Sequence, residues 1–142
     1  GLGAPVGSAL VGPRDLVLLA RRWRKMLGGG MRQAGVLAAA ALHALDHHVE
    51  RLADDHALAQ RLADGLQGIP GLAVEPPQTN MVFATTDERG RDLIAHLKSR
   101  GVLATGIYQL RFVTHLDVDA QDIDRAVAAV REHFQAGLPL NL

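Results

Sequence analysis

Three consecutive glycines, Gly28-Gly29-Gly30, restrict what this chain can become more than any other stretch. Each would cost a helix interior roughly 1 kcal/mol relative to alanine, so no helix runs through them. They suit a turn where the backbone comes close to a ligand or to another chain. Arg21, Arg22, Arg24 and Lys25 stand before them, and an Ala-rich helical stretch opens after them with Arg32 in its expected first turn. Free N–H groups at a helix start beside Arg and Lys suit an anion such as phosphate. The stretch lacks the G-x-x-x-x-G-K-[ST] pattern and follows no evident strand. A flexible joint between two helices, flanked by solvated charge, explains the same residues.

The rest of the composition narrows the classes. The chain has 142 residues, enough for one domain, and 48% of them are apolar, enough for a core. Its formal net charge is zero, which gives no electrostatic support to general nucleic-acid or anionic-membrane binding. No cysteine is present, so disulfides, thiolate metal sites and Cys nucleophiles are excluded. That fits a cytoplasmic protein. No apolar run approaches the roughly 20 residues of a membrane-spanning helix. Lys25 and Lys98 are the only lysines, so few amines are available for Schiff-base chemistry.

Periodicity divides the chain in two. Gly1 to Gly7 is too glycine-rich for a regular element, and Ser8-Ala9-Leu10-Val11, closed by Gly12-Pro13, reads as a buried strand end. Arg14 to Met26 is helical, with Leu16, Leu19, Ala20 and Trp23 on one face. Gln33 to about Val49 is a helix with a stripe of Val36, Leu37, Ala40, Ala41, Ala44 and Leu45, and Glu50 to Leu66 continues it. One helix of that length is unusual in a small domain, so a break is expected near Asp46 to Val49 or near Asp54. After Pro70-Gly71 the pattern changes to β-β-α-β-β-α. Its strands are Leu72–Glu75, Met81–Ala84 (apolar throughout, hence expected to be buried on both faces), Val102–Ala104 and Leu110–Val113. Its helices are Asp87–Arg100, carrying Leu93, Ile94 and Leu97, and Asp119–Gln135. The latter is capped by Asp119, packed through Ile123, Ala126, Val127, Val130 and Phe134, and ended by Gly137 and Pro139.

Arg111 is the sharpest single residue. A guanidinium within an apolar strand needs an anion, and its planar fork suits a carboxylate. An internal ion pair, or exposure at a sheet edge, would satisfy it equally. His43 and His47 share a helix face with His48 beside them, yet no H-E-x-x-H pattern or further ligand accompanies them. His115, next to Asp117, serves either as a hydrogen-bonding or acid–base group or as part of a structural loop. Ser8 has no nucleophile-elbow pattern around it.

Four stretches together resemble the low-specificity L-threonine aldolases. They are Gly1-Leu2-Gly3-Ala4-Pro5-Val6-Gly7-Ser8, Arg22-Trp23-Arg24-Lys25-Met26-Leu27-Gly28-Gly29-Gly30-Met31-Arg32-Gln33, Thr79-Asn80-Met81, and Arg111-Phe112-Val113-Thr114-His115-Leu116-Asp117. The resemblance runs the length of the chain in order. It implies an α/β architecture: the C-terminal part of a pyridoxal-phosphate-dependent transferase-like fold of the aspartate-aminotransferase type. Residues 1–30 would be the end of the large cofactor domain. Residues 31–142 would be the long connecting helices and a small α+β domain whose sheet is covered by helices.

The resemblance also implies roles. In this family a lysine immediately before the stretch matching Gly1-Leu2-Gly3 forms the Schiff base with pyridoxal 5'-phosphate, so the chain is expected to be the C-terminal portion of a longer enzyme. Neither Lys25 nor Lys98 matches that lysine. Arg111 matches the arginine that holds the substrate carboxylate, Arg32 an arginine at the cofactor site, and Lys25 an accessory lysine near the active site. The implied reaction is reversible cleavage of threonine and related β-hydroxy-α-amino acids to glycine and an aldehyde. The implied partners are a small amino-acid substrate, the preceding segment and further copies in a dimer or tetramer, with Lys25 or Arg32 serving either their own or a neighbouring site. No metal, nucleic acid or membrane is implied. The alternatives are a catalytically incomplete module of structure or oligomerisation, and an anion- or nucleic-acid-binding module using Arg21 to Arg32, against which the neutral net charge counts.

Overall fold

The computed structural model describes residues 1–106 and 109–136, in two compact units. One is Leu2–Glu50; the other is Gly1 with the chain from Arg51 onward. Packing thus divides the chain after Glu50.

In the Leu2–Glu50 unit, α1 spans Arg14–Met26 and α2 spans Gly35–His47. Pro13 opens α1, where its missing N–H costs nothing, and its carbonyl accepts from Val17. Residues 1–13 form no helix or strand, and Leu10 and Val11 are exposed at 62% and 84%. The expected buried strand end at Ser8–Val11 is therefore corrected: a strand needs a neighbour to hydrogen-bond, and this segment has none among the described residues. The second helix also starts later than the pattern suggests. Gln33 sits in the left-handed region at φ 50°, which no helix tolerates, so α2 begins at Gly35 and Arg32 lies ahead of its first turn.

In the second unit, α3 spans Leu52–Leu66, so the long helical stretch breaks at His48–Arg51, close to the first of the two expected places. Then come β1 (Leu72–Val74), β2 (Met81–Thr86), a 3-10 turn at Glu88–Gly90, α4 (Leu93–Ser99), β3 (Leu110–Val113) and α5 (Ala120–Ala136). The sheet is antiparallel in the order β1-β2-β3. Leu72 lies opposite Thr86, and Met81, Val82, Phe83 and Ala84 lie opposite Val113, Phe112, Arg111 and Leu110.

Alternation decides which side is covered. Val82, Ala84, Leu110 and Phe112 point into the core, where they meet Leu62 and Leu66 of α3, Leu93 and Leu97 of α4, and Ile123, Val130 and Phe134 of α5. Each fully buried aliphatic or aromatic side chain contributes about 1.5–3 kcal/mol of transfer energy. The opposite side of β2 and β3 is open: Met81 and Val113 are exposed at 39% and 40%, and Phe83 is half-buried. The expectation that Met81–Ala84 is buried on both faces is corrected. Within this unit the described helices pack on one side of the sheet, as antiparallel sheets allow.

Two further expectations change. Asp87–Arg100 is not one helix: the Asp87 side chain accepts from Arg89 N and closes a 3-10 turn, and the α-helix starts at Leu93. Val102–Ala104 is not a strand; only Thr105 bridges to Arg111, with Arg111 N donating to Thr105 O at 2.7 Å. The last helix matches its expected start. Asp119 Oδ1 accepts from Gln121 N and Asp122 N, and Asp122 Oδ2 accepts from Asp119 N, a reciprocal cap. Its expected end at Gly137 and Pro139 lies outside the described residues. Helices α3 and α5 are laced by Arg61, which donates Nε to Asp124 Oδ1 at 3.0 Å and Nη2 to Oδ2 at 2.8 Å.

Candidate functional site

The glycine triplet is a defined helix stop rather than a loose joint. Leu27 caps α1, Gly28 turns left-handed at φ 88°, and two reversed hydrogen bonds close the end. Gly28 N donates to Lys25 O at 3.2 Å and Gly29 N to Arg24 O at 2.7 Å, the pairing of a Schellman motif. The chain is thereby folded back onto the last turn of α1. A Cβ at Gly29 would come within 2.6 Å of Arg24 Cγ, and one at Gly30 within 2.9 Å of Lys25 Nζ. So the Lys25 ammonium lies against the glycine backbone. Lys25 and Arg32 are both exposed, one before the turn and one after it, and neither forms an ion pair among the described residues.

Arg111 belongs to the other unit. It stands on β3 on the uncovered side of the sheet, directly opposite Phe83, and is exposed. Of the alternatives open to it, an internal ion pair is not formed among the described residues, whereas exposure at a sheet edge is what it has, since β3 ends the strand order β1-β2-β3. Its backbone is tied on both sides: to β2 through the ladder, and to Thr105 through the bridge. A cation on a rigid strand, with its fork unpaired among the described residues, can hold a carboxylate with little loss of freedom.

Just beyond Arg111, the strand end is clasped by residues that pattern reading did not single out for a role. Asn80 Nδ2 donates to Thr114 O at 2.7 Å, while Thr114 N donates to Asn80 O at 2.9 Å. The pair extends the β2–β3 register by one step past Met81 and Val113. The Thr114 hydroxyl, 1% exposed, donates to Asp55 O at 2.7 Å and so anchors the strand end to α3. Asp55 is fully buried and its carboxylate pairs with Arg51, which also donates Nη1 to Gly1 O at 3.3 Å. A buried Asp in an apolar helix face was the available signal.

The remaining candidates do not gather into a site. The imidazole of His43 stacks near His47 and His48, with ring centroids 4.4 and 5.3 Å away. Among the described residues no group of three or more His, Asp or Glu side chains is arranged to hold a metal. His115 is exposed and accepts from Asp117 N at 3.3 Å, the arrangement of a structural loop. Ser8 is exposed.

Residues 1–89 match the model of a family described as beta-eliminating lyase. The chain belongs to the beta-eliminating lyase family. The match covers the glycine stop, Lys25, Arg32 and Asn80, and ends before Arg111 and Thr114. Sequence likeness to curated proteins goes further. The low specificity L-threonine aldolase of Escherichia coli is 45% identical over 97% of this chain and 40% of its own length. The chain thus spans about two fifths of such relatives. Among solved structures, a protein of Exiguobacterium sp. 255-15 assigned as an aromatic amino acid beta-eliminating lyase/threonine aldolase aligns at TM-score 0.69 and 21% identity, over 94% of this chain and 42% of that one. C-DES, solved with glycine covalently linked to its pyridoxal phosphate cofactor, aligns at TM-score 0.57 and 23% identity over 70% of this chain and 28% of that one. This member of the beta-eliminating lyase family therefore has the expected fold, the C-terminal part of a pyridoxal-phosphate-dependent transferase-like architecture.

Proposed function

We propose that the chain is the C-terminal part of a pyridoxal-phosphate-dependent aldolase that cleaves threonine, allo-threonine and related β-hydroxy-α-amino acids to glycine and an aldehyde. Residues 1–30 end its large cofactor domain, and residues 31–142 are its connecting helices and small domain. The observation that carries this reading is the strand-borne Arg111 on the open side of the sheet, in a chain 45% identical to a threonine aldolase.

The residues present fit the cofactor. Lys25 and Arg32 flank a closed glycine turn, exposed and without carboxylate partners among the described residues, as a phosphate dianion requires. When bound, pyridoxal phosphate supplies the electron sink that Cα–Cβ cleavage needs. Arg32 would hold its phosphate, and Lys25 would add positive charge to that site, in the same subunit or a neighbouring one. Arg111 takes the substrate carboxylate with both arms of its fork, which fixes the rotation of the amino acid about Cα and so selects the bond that breaks. A preceding segment supplies the Schiff-base lysine, and the enzyme works as a homo-oligomer, a dimer or homotetramer, in the cytoplasm. Exposed Leu16, Trp23, Val36 and Leu45 on α1 and α2 support such partners.

The test uses the full-length protein. Arg111→Ala raises the KM for threonine about 10- to 100-fold, the worth of a charge-assisted hydrogen-bonded pair, and leaves the melting temperature unchanged because the side chain is exposed. An unchanged KM removes the assignment and leaves a structural or oligomerisation module.

A further inference from the structure

Asp55 is an expensive residue to place where it stands. It is fully buried, its Oδ1 takes Arg51, and its Oδ2 has no hydrogen-bond partner among the described residues. A half-satisfied buried carboxylate adds little stability, and an apolar residue of similar volume commonly does better there. What it does accomplish is geometric. It fixes one arm of the Arg51 guanidinium, and the planar fork then aims the other arm, Nη1, at the carbonyl of Gly1, 3.3 Å away. The next carbonyl is held as well: His48 Nδ1 donates to Leu2 O at 2.6 Å. Both side chains come from the short break between α2 and α3, His48–Arg51. Gly1 also packs close to Leu52, the first residue of α3.

We propose that the N-terminal turn of α3 is a positioning device for the Schiff-base lysine. Arg51, oriented by buried Asp55, grips the Gly1 carbonyl, which fixes the backbone directly after that lysine. The inference rests on the reading above, in which the lysine immediately precedes Gly1. The same turn of α3 steadies the other reacting partner's anchor, because the Asp55 carbonyl receives the Thr114 hydroxyl at the end of the strand that carries Arg111. Asp55 and Arg51 touch neither substrate nor cofactor in this scheme. They are positioning residues, and one helix turn references the lysine and the carboxylate arginine to each other.

The experiment takes the full-length protein loaded with pyridoxal phosphate and compares it with Arg51→Gln and Asp55→Asn. Two readouts are followed: the pH midpoint of the visible band of the lysine-bound cofactor, and kcat and KM for threonine. Loosening the lysine backbone shifts that midpoint and lowers kcat about 10-fold, since small misplacements of a reacting group carry large rate penalties, while KM stays within about twofold. Arg51→Lys does not restore the midpoint, because an ammonium lacks the fork that serves Asp55 and Gly1 together. A wild-type midpoint and kcat in folded Arg51→Gln, with only the melting temperature lowered, overturn the inference and leave the aldolase reading intact. A wild-type protein with no lysine-bound band overturns both. Should Asp55→Asn fail to fold, Arg51→Gln, whose side chain is partly exposed, decides the matter alone.

Discussion

Phe83 and Arg111 stand directly opposite each other on β2 and β3, both on the side of the sheet that faces away from α3, α4 and α5. The ring is half-buried and the guanidinium exposed. Cross-strand pairs of this kind contribute about 0.2–1 kcal/mol. Phe83→Ala is expected to raise the KM for the amino acid about two- to fivefold by letting Arg111 wander, with kcat nearly unchanged. Steady-state kinetics on the full-length protein check it, and a fall in kcat alone would sink the idea.

Gly65 of α3 lies against Val127 of α5. A Cβ there would lie 2.6 Å from Val127 Cγ2, a branched side chain with little room to turn. Gly65→Ala gains up to about 1 kcal/mol of helix propensity, but overpacking costs about 1–3 kcal/mol. The net effect is expected to be destabilising, with a lower melting temperature. Val127→Ala in the same background should recover part of the loss.

Gly28 needs its left-handed φ of 88° to close the end of α1, and nothing lies within 4 Å of where a Cβ would be. Gly28→Ala therefore probes backbone strain alone, at about 1–2 kcal/mol, and Gly28→Asn should cost less. If the closed turn aims Lys25 and Arg32 at the cofactor phosphate, the alanine variant also binds pyridoxal phosphate more weakly than the asparagine one. Cofactor titration by absorbance distinguishes the two.

Acid should loosen two surface links. Hydrogen bonding to Arg61 holds the Asp124 carboxyl below the ordinary value of 3.8, and Arg89 does the same for Asp87. A lowered folded pKa means that the contribution is full above the unfolded value and is lost as pH falls through the folded one. Thermal melting should therefore be insensitive to these pairs near neutrality and decline below about pH 4. Asp124→Asn should flatten that part of the decline. Both pairs are solvent-exposed, so salt should weaken the effect.

The helices that carry strong local signals were legible from residues alone. The reciprocal cap at Asp119 and Asp122 and the stripe from Ile123 to Phe134 specify α5 whatever surrounds it. The break between α2 and α3 was expected on length, and it falls at His48–Arg51. Strands were harder, because a strand exists only through its neighbour. Ser8–Val11 and Val102–Ala104 have the composition of strands and find no ladder, while Met81–Ala84 finds one that is covered on one side. Gln33 was hidden for another reason: nothing in its side chain announces a left-handed backbone. Arg111 was visible because a cation interrupts an apolar run. Thr114 and Asp55 were not, because their importance lies in contacts across 59 positions of sequence.

The one-sided sheet has a bearing on how such a protein can change over generations. Along β2 and β3 the residues that hold the fold, Val82, Ala84, Leu110 and Phe112, alternate with Met81, Phe83, Arg111 and Val113, which do not enter the core. Inheritance can therefore edit the open row nearly independently of the buried one. Varying Met81, Phe83 and Val113 around a fixed Arg111 would explore new side-chain preferences in the amino acid without drawing on the stability that keeps the scaffold folded.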